Sequence, residues 1–140
     1  MKWLKWFIAG ALAVPLGHQI ALWLCNLAGL VNRTPFSMDA TRPFGVPSWI
    51  SLAFWGGVWG LPMALVLARA RGAKFWLIAL IFGAIAPTLV AAFVVAPLKG
   101  VALGGNAKML AVGLIVNGVW GLATAAFYRL MSRGDRGIHF

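Results

Sequence analysis

The side chains in this sequence that are able to do chemistry are few and far apart. His18 and Cys25 share the first apolar stretch, and seven helical residues would separate them by about 10 Å, too far for a nucleophile and its base. His18 and His139 lack the spacing of metal ligands. The two carboxylates, Asp39 and Asp135, fall on opposite sides of the predicted membrane, which excludes acid–base catalysis by a carboxylate pair. We therefore predict a protein that is not an enzyme and that holds no cofactor or metal.

A second group of side chains is defined by depth within the apolar stretches rather than by reactivity. Counted along each predicted helix, these polar and aromatic residues fall near the middle of the membrane, within a layer of about 5 Å. Together they would form a small polar site with tryptophan walls. The members are His18, Gln19, Thr88, Asn117, Trp59 and Trp120.

Two interpretations of this polar layer are open. Its members could hydrogen-bond across helices and fix the helix register, which is an established use of polar groups in membranes. They could instead bind a solute in a transporter or channel, where sites lie near the midplane. His18 is the residue within the apolar stretches whose side-chain type can titrate near neutral pH, and no carboxylate accompanies it there. Because proton-coupled carriers usually need intramembrane carboxylates or histidine chains, proton-driven transport is disfavoured, whereas a passive pathway or a facilitator stays open. The first interpretation is favoured because interhelical polar contacts are an established way of specifying packing.

The elements that position these residues follow from the distribution of charge. Of 140 residues, 62% are hydrophobic and 10% are charged, and the formal net charge is +10. A soluble protein could not cover so much apolar surface. The basic residues flank four charge-free stretches, residues 6–32, 43–68, 75–98 and 109–128, so they indicate the ends of membrane spans rather than a nucleic-acid interface. Each stretch holds the roughly 20 residues that a membrane-spanning helix needs.

The predicted fold is all-α, a four-helix transmembrane domain that covers residues 1–140. We place the helices at about residues 4–30, 48–69, 75–97 and 108–130, with an external loop at 31–47 and a cytoplasmic tail at 131–140. With the amino terminus inside, eight Lys and Arg residues are cytoplasmic and four are external, which is the bias of membrane proteins. We therefore predict a multi-pass protein of the plasma (cell inner) membrane with both termini in the cytoplasm.

The first helix has one alternative interpretation. Lys2 and Lys5 precede an apolar run that contains Ala11-Leu12-Ala13, a sequence typical of signal-peptide cleavage sites. The apolar run continues to Leu30, and this length favours a retained span. Cleavage would leave three spans.

An internal repeat relates the second predicted helix to the fourth. The string Gly-Val-Trp-Gly-Leu occurs at residues 57–61 and again 61 positions later, at 118–122. The first and third helices share only a central proline, Pro15 and Pro87. We therefore predict two related helix pairs in parallel orientation. Small residues let membrane helices approach closely, and we expect helices two and four to pack against each other through Gly57, Gly60, Gly118 and Gly121.

These features favour a non-enzymatic accessory or assembly component of a membrane. Its expected partners are membrane lipids and either a second copy of the chain or another membrane protein, and nucleic acid is not expected. The alternative is a small oligomeric transporter or channel that uses the polar layer as its site. The strings in the sequence point to no known activity.

Overall fold

Four long helices make up the computed structural model, which describes residues 1–100 and 106–134. They are α1 (Lys2–Leu27), α2 (Ser48–Leu67), α3 (Ala73–Leu98) and α4 (Ala107–Arg133). Each is long and apolar enough to cross a membrane, so the prediction of an all-helical chain with four such helices is confirmed. Asp135, His139 and most of the predicted tail lie outside the described residues.

Local chemistry sets the helix ends. The first helix ends at Leu27 rather than near residue 30, because Gly29 adopts a φ of 74°, the left-handed conformation that terminates helices. Pro47 precedes α2 with an extended ψ of 140°. At the start of α4 the side chain of Asn106 accepts a hydrogen bond from the backbone N–H of Met109 at 3.2 Å, which satisfies one of the free N–H groups of the first turn.

Two helices contain a π-helical turn close to a proline. In α1 the π-helical residues are Val14–His18, which include Pro15. In α3 they are Ala91–Val95, which begin four residues after Pro87. Proline cannot donate the backbone hydrogen bond that an α-helical turn requires, and a π-helical turn is one way in which a helix accommodates the change.

The helices form a bundle in which α1 packs on α2 and α4, α4 also packs on α3, and α2 and α3 make a smaller contact. Each helix runs antiparallel to the next along the chain. The largest interfaces join α1 to α2 and α3 to α4, and α1 packs on α4 between them. Both termini of the bundle meet at one end, where the ammonium of Lys5 donates to the carbonyl of Met131 at 3.3 Å. At the same end the rings of Trp6 and Tyr128 stack with centroids 3.8 Å apart.

The glycine faces pack within each helix pair. A Cβ placed on Gly60 would collide with the backbone carbonyl of Trp6 in α1, and one placed on Gly121 would collide with that of Ala79 in α3. The prediction that the glycine faces of α2 and α4 pack against each other is therefore wrong. The physical reason is that α1 and α3 carry small residues of their own at the crossings, Gly10 and Gly83, so backbone meets backbone inside each pair.

The two crossings have the same register. On the first helix of each pair the contacting residues are 73 positions apart in the chain, and on the second helix they are 61 positions apart. The corresponding contacts are Trp6–Gly60 with Ala79–Gly121, Phe7–Gly57 with Leu80–Gly118, and Gly10–Gly56 with Gly83–Asn117.

Candidate functional site

The structure divides the predicted polar layer into two groups of contacts, and Gln19 lies at the centre of the first, on α1. Its side chain is 2% exposed, and its amide oxygen accepts a hydrogen bond from the backbone N–H of Phe36 at 2.7 Å. Its amide nitrogen lies 3.0 Å from Nδ1 of His18. Because Gln19 precedes the end of α1 by eight residues, the chain near Phe36 reaches about 12 Å down the side of the helix. A buried amide thus holds a loop segment against the bundle.

Asn26 is a second attachment point, seven residues further along α1 and on the same face. Its side-chain nitrogen donates to the carbonyls of Leu22, at 2.9 Å, and Arg33. Its side-chain oxygen accepts from the backbone N–H of Arg33 at 2.9 Å. Two amide side chains of α1, those of Gln19 and Asn26, therefore bind the backbone of residues 28–47, the long loop that joins α1 to α2.

The long loop in turn supplies the hydrogen bonds that α2 needs at its start. The first N–H groups of a helix have no partner within it. Here the N–H of Ser48 donates to the carbonyl of Asp39 at 2.9 Å, and that of Trp49 donates to the carbonyl of Ser37 at 3.2 Å. The loop is thereby tied to both helices that it connects.

Between these ties the long loop forms a tight turn at its tip. The N–H and the hydroxyl of Thr41 both donate to the carbonyl of Val46, at 2.8 and 2.7 Å. Gly45 adopts a φ of 71°, a conformation that costs glycine little. The turn leaves the side chain of Phe44 89% exposed. An apolar ring is thus presented on a loop whose backbone is fixed at several points.

The second polar group joins α3 to α4. The side-chain nitrogen of Asn117 donates to the hydroxyl of Thr88 at 2.9 Å, and Thr88 is 4% exposed. A Cβ on Gly113 would lie 3.1 Å from the methyl carbon of Thr88, so the absence of a side chain there gives Thr88 its room. The pair is an interhelical hydrogen bond of the kind that fixes helix register.

The two predicted tryptophan walls occupy different interfaces. The indole N–H of Trp120 donates to the backbone carbonyl of Gly10 at 2.9 Å, between α4 and α1. Trp59 instead meets Phe82 edge to face at 6.2 Å, between α2 and α3. The six predicted residues are thus used in separate contacts, and each of their four polar side chains has a hydrogen-bond partner.

No family model matches this chain, and no curated protein or solved structure matches it either.

A cavity opens at the end of the bundle opposite the termini, and none of the six predicted residues lines it. Its volume is about 850 Å³, and it lies between the carboxyl end of α1 with its following segment and the start of α4. Charged and polar side chains line it, among them Arg33, Lys108 and Asn106. Among the described residues, no three of the His, Cys, Asp and Glu side chains come together as a metal site would require.

The cavity residues escaped the sequence interpretation because they were treated as span boundaries. Arg33 follows the first charge-free stretch and Lys108 precedes the fourth. Topology could have predicted that Arg33 and Lys108 lie near each other, because the end of the first helix and the start of the fourth lie at the same end of a four-span bundle. Depth along a helix relates only residues inside the spans to one another, so it does not identify a site formed beyond the helix ends.

Proposed function

We propose that this chain is a non-enzymatic accessory or assembly component of the plasma (cell inner) membrane, and that the long loop is the part that meets its partner. The observation that carries the proposal is the use of two buried or half-buried side chains, Gln19 and Asn26, to hold the backbone of that loop. Any packed connector must satisfy its buried backbone groups, and here the attachments also fix the backbone that presents an exposed apolar ring. A fixed loop with Phe44 at its tip loses little conformational freedom on binding, which favours association.

The hydrogen bonding of the polar layer also supports this function over the alternative, a small oligomeric transporter or channel. A solute site needs polar groups that are available to the solute. Gln19 is bonded to the long loop and to His18, and Asn117 is bonded to Thr88. The layer therefore fits the interpretation in which its members fix helices and loop, and the expected partner is a second copy or another membrane protein.

We propose further that the two helix pairs are related by duplication. The shared register of the crossings supports this, because it aligns residues 3–16 with 76–89, where seven of fourteen positions are identical. The sequence interpretation had found only a shared proline in these helices. The two offsets, 73 and 61, differ by 12. The connection 28–47 is likewise 12 residues longer than the connection 99–106, so the pairs differ mainly by extra residues in the long loop.

The proposed orientation places both termini in the cytoplasm. Of the Lys and Arg side chains in the described residues, seven lie at the end of the bundle that holds the termini and four at the opposite end. The seven are Lys2, Lys5, Arg69, Arg71, Lys74, Arg129 and Arg133, and the four are Arg33, Arg42, Lys99 and Lys108. The excess of Lys and Arg at the first end supports a cytoplasmic position for it. The long loop and its exposed ring would then lie on the outer face.

The test is extraction of the tagged full chain in mild detergent after cross-linking in the membrane, with quantification of what accompanies it. We expect the unmodified chain to be recovered reproducibly with a partner at a fixed stoichiometry, and we expect the Phe44→Ala variant to be recovered without that partner. Phe93→Ala is the matched control, because Phe93 is 60% exposed on the side of α3 and lies outside the loop. Repeated recovery of a lone chain, or equal partner recovery from both variants, would overturn the proposal.

A second measurement addresses the transport alternative. The purified chain is reconstituted in liposomes and screened for solute flux beside the variant that combines His18→Ala with Asn117→Ala. The accessory proposal predicts no flux above that of empty liposomes. Flux that the double variant abolishes, with the bundle still folded by circular dichroism, would favour a transporter.

A further inference from the structure

The cavity at the end opposite the termini has the lining of an anion site. Arg33 and Lys108 both border it, and neither has an ion-pair partner within the described ranges 1–100 and 106–134. Asp39, the carboxylate side chain in those ranges, does not line the cavity, and it accepts a hydrogen bond from the hydroxyl of Ser37 at 2.8 Å. Two solvent-exposed cations therefore border one open cavity with no protein anion beside them in the described ranges, which gives the cavity a positive potential that attracts anions.

The backbone around the cavity is arranged before any ligand arrives. The two hydrogen bonds between Asn26 and the backbone of Arg33 fix the position from which the guanidinium extends. Lys108 belongs to the first turn of α4, a helix of 27 residues whose amino end carries partial positive charge. Asn32 and Asn106 add amide groups to the lining. Guanidinium, ammonium and amide N–H groups together are the donors that bind phosphate oxygens in proteins.

The size and remaining surface of the cavity narrow the ligand class. A volume of about 850 Å³ lies within the roughly 300–1,000 Å³ of small-molecule sites, so it exceeds what a single inorganic ion fills. Leu30 and Met109 contribute apolar lining beside the charged groups. The cavity also lies at the ends of two membrane-spanning helices, which is the depth of lipid headgroups. The ligand should therefore combine a phosphate with an apolar portion.

We propose that this cavity binds a molecule of net negative charge that carries a phosphodiester or phosphomonoester group, with Arg33 and Lys108 contacting the phosphate and Leu30 and Met109 contacting an adjoining apolar part. An anionic phospholipid and a soluble phosphate ester are the two sources of this chemistry. The site does not depend on the long-loop partner proposed above, because its lining does not include Phe44.

Binding is measured on the purified full chain in uncharged detergent by native mass spectrometry and by tryptophan fluorescence. The probes are a short-chain phosphatidylglycerol, the phosphatidylcholine with the same chains, and glycerol phosphate. We expect one saturable site for phosphatidylglycerol on the unmodified chain and at least tenfold weaker binding of phosphatidylcholine. Binding of glycerol phosphate at similar strength would identify a soluble ester as sufficient, and binding of the lipid alone would identify a lipid site.

Variants test which residues hold the phosphate. The double substitution Arg33→Gln with Lys108→Gln should weaken phosphatidylglycerol binding by about a hundredfold, since each charged hydrogen bond contributes about tenfold. Arg42→Gln with Lys99→Gln is the matched control, because it removes the same charge from the same end of the bundle without altering the cavity lining. The proposal is overturned if neither phosphatidylglycerol nor glycerol phosphate binds saturably, if the two lipids bind equally, or if both double variants lose binding to the same extent.

Discussion

The closeness of α3 and α4 makes Gly83→Ala a sensitive test of the packing. A Cβ at this position would lie 2.7 Å from the Cα of Gly121 and 2.8 Å from the carbonyl oxygen of Asn117, whereas ordinary contact begins at 3.4 Å. Both neighbours are backbone atoms that cannot rotate away. The helices must therefore separate by about 0.7 Å at this point to restore ordinary contact.

That separation has a second consequence one turn along the interface. The hydrogen bond from Asn117 to Thr88 measures 2.9 Å, and a 0.7 Å opening would lengthen it to about 3.6 Å, beyond hydrogen-bonding distance. Overpacking costs about 1–3 kcal/mol, and an interhelical hydrogen bond in a membrane contributes about 0.6 kcal/mol. We expect Gly83→Ala to lower the free energy of unfolding by about 2 kcal/mol relative to a control alanine that meets no backbone.

Gly118→Ala is that control. Its Cβ would lie 3.1 Å from Cδ1 of Leu80, the end of a flexible side chain that can move. Both variants gain the same helix propensity from the change of glycine to alanine, so the difference between them isolates the backbone contact. Reversible unfolding in mixed micelles with increasing sodium dodecyl sulfate, followed by circular dichroism, measures it. Equal stability of the two variants within about 0.5 kcal/mol would refute the close approach of α3 and α4.

Three further predictions concern the polar contacts. Gln19→Leu leaves the backbone N–H of Phe36 without its acceptor, so hydrogen exchange in the long loop should accelerate about tenfold or more while exchange in α4 is unchanged; an unchanged loop would contradict the attachment. Trp120→Phe should cost about 1 kcal/mol more than Trp6→Phe, because the indole N–H of Trp120 has an acceptor whereas that of Trp6 has none among the described residues; equal losses in the same unfolding titration would contradict this. Asn117→Ala should cost about 0.6 kcal/mol by that titration, and a loss above about 2 kcal/mol would mean that it does more than bond to α3.

The number and approximate bounds of the helices could be predicted, because the length of an apolar stretch and the positions of glycine and proline at its ends are local properties of the sequence. A charge-free stretch of more than 20 residues can cross a membrane only as a helix. The end of α1 differed from the prediction because Gly29 takes a left-handed conformation, and nothing in the apolar pattern distinguishes this from a helical glycine. The π-helical turns at Val14–His18 and Ala91–Val95 were not predicted either, although each lies close to a proline that the sequence shows.

The partners of the polar residues could not be predicted, because the depth of a residue along its helix does not determine in which direction around the helix axis its side chain points. Thr88 and Asn117 were placed at one depth from the sequence, and they do meet. Gln19 was placed with them, yet its oxygen is bonded to a backbone N–H of the long loop. A backbone N–H is present at every residue except proline, so no sequence pattern identifies it as a partner. The same limit explains the error in glycine packing, since small faces on α2 and α4 do not say which helix fills them.

Comparison of the two helix pairs supplies an argument about why Gln19 and Asn26 are polar. In the register set by the crossings, the positions that correspond to Gln19 and Asn26 are Ala92 in α3 and Lys99 directly after it. The pair with the long connection has the amides, and the pair with the short connection lacks them. The presence of the two amides therefore follows the length of the loop.

This reasoning predicts that the effect of Gln19→Leu depends on the long loop. Deletion of residues 34–45 leaves a connection as long as that between α3 and α4. In the full chain Gln19→Leu should cost about 1–3 kcal/mol, because the N–H of Phe36 is left buried without an acceptor. In the shortened chain that N–H is absent and a buried leucine avoids the desolvation of an amide, so the substitution should be neutral or stabilising. The unfolding titration of all four chains gives the coupling as a double-mutant cycle. The same cost in both backgrounds would show that Gln19 serves the helices themselves, and the assignment of its amide to the loop would then be wrong.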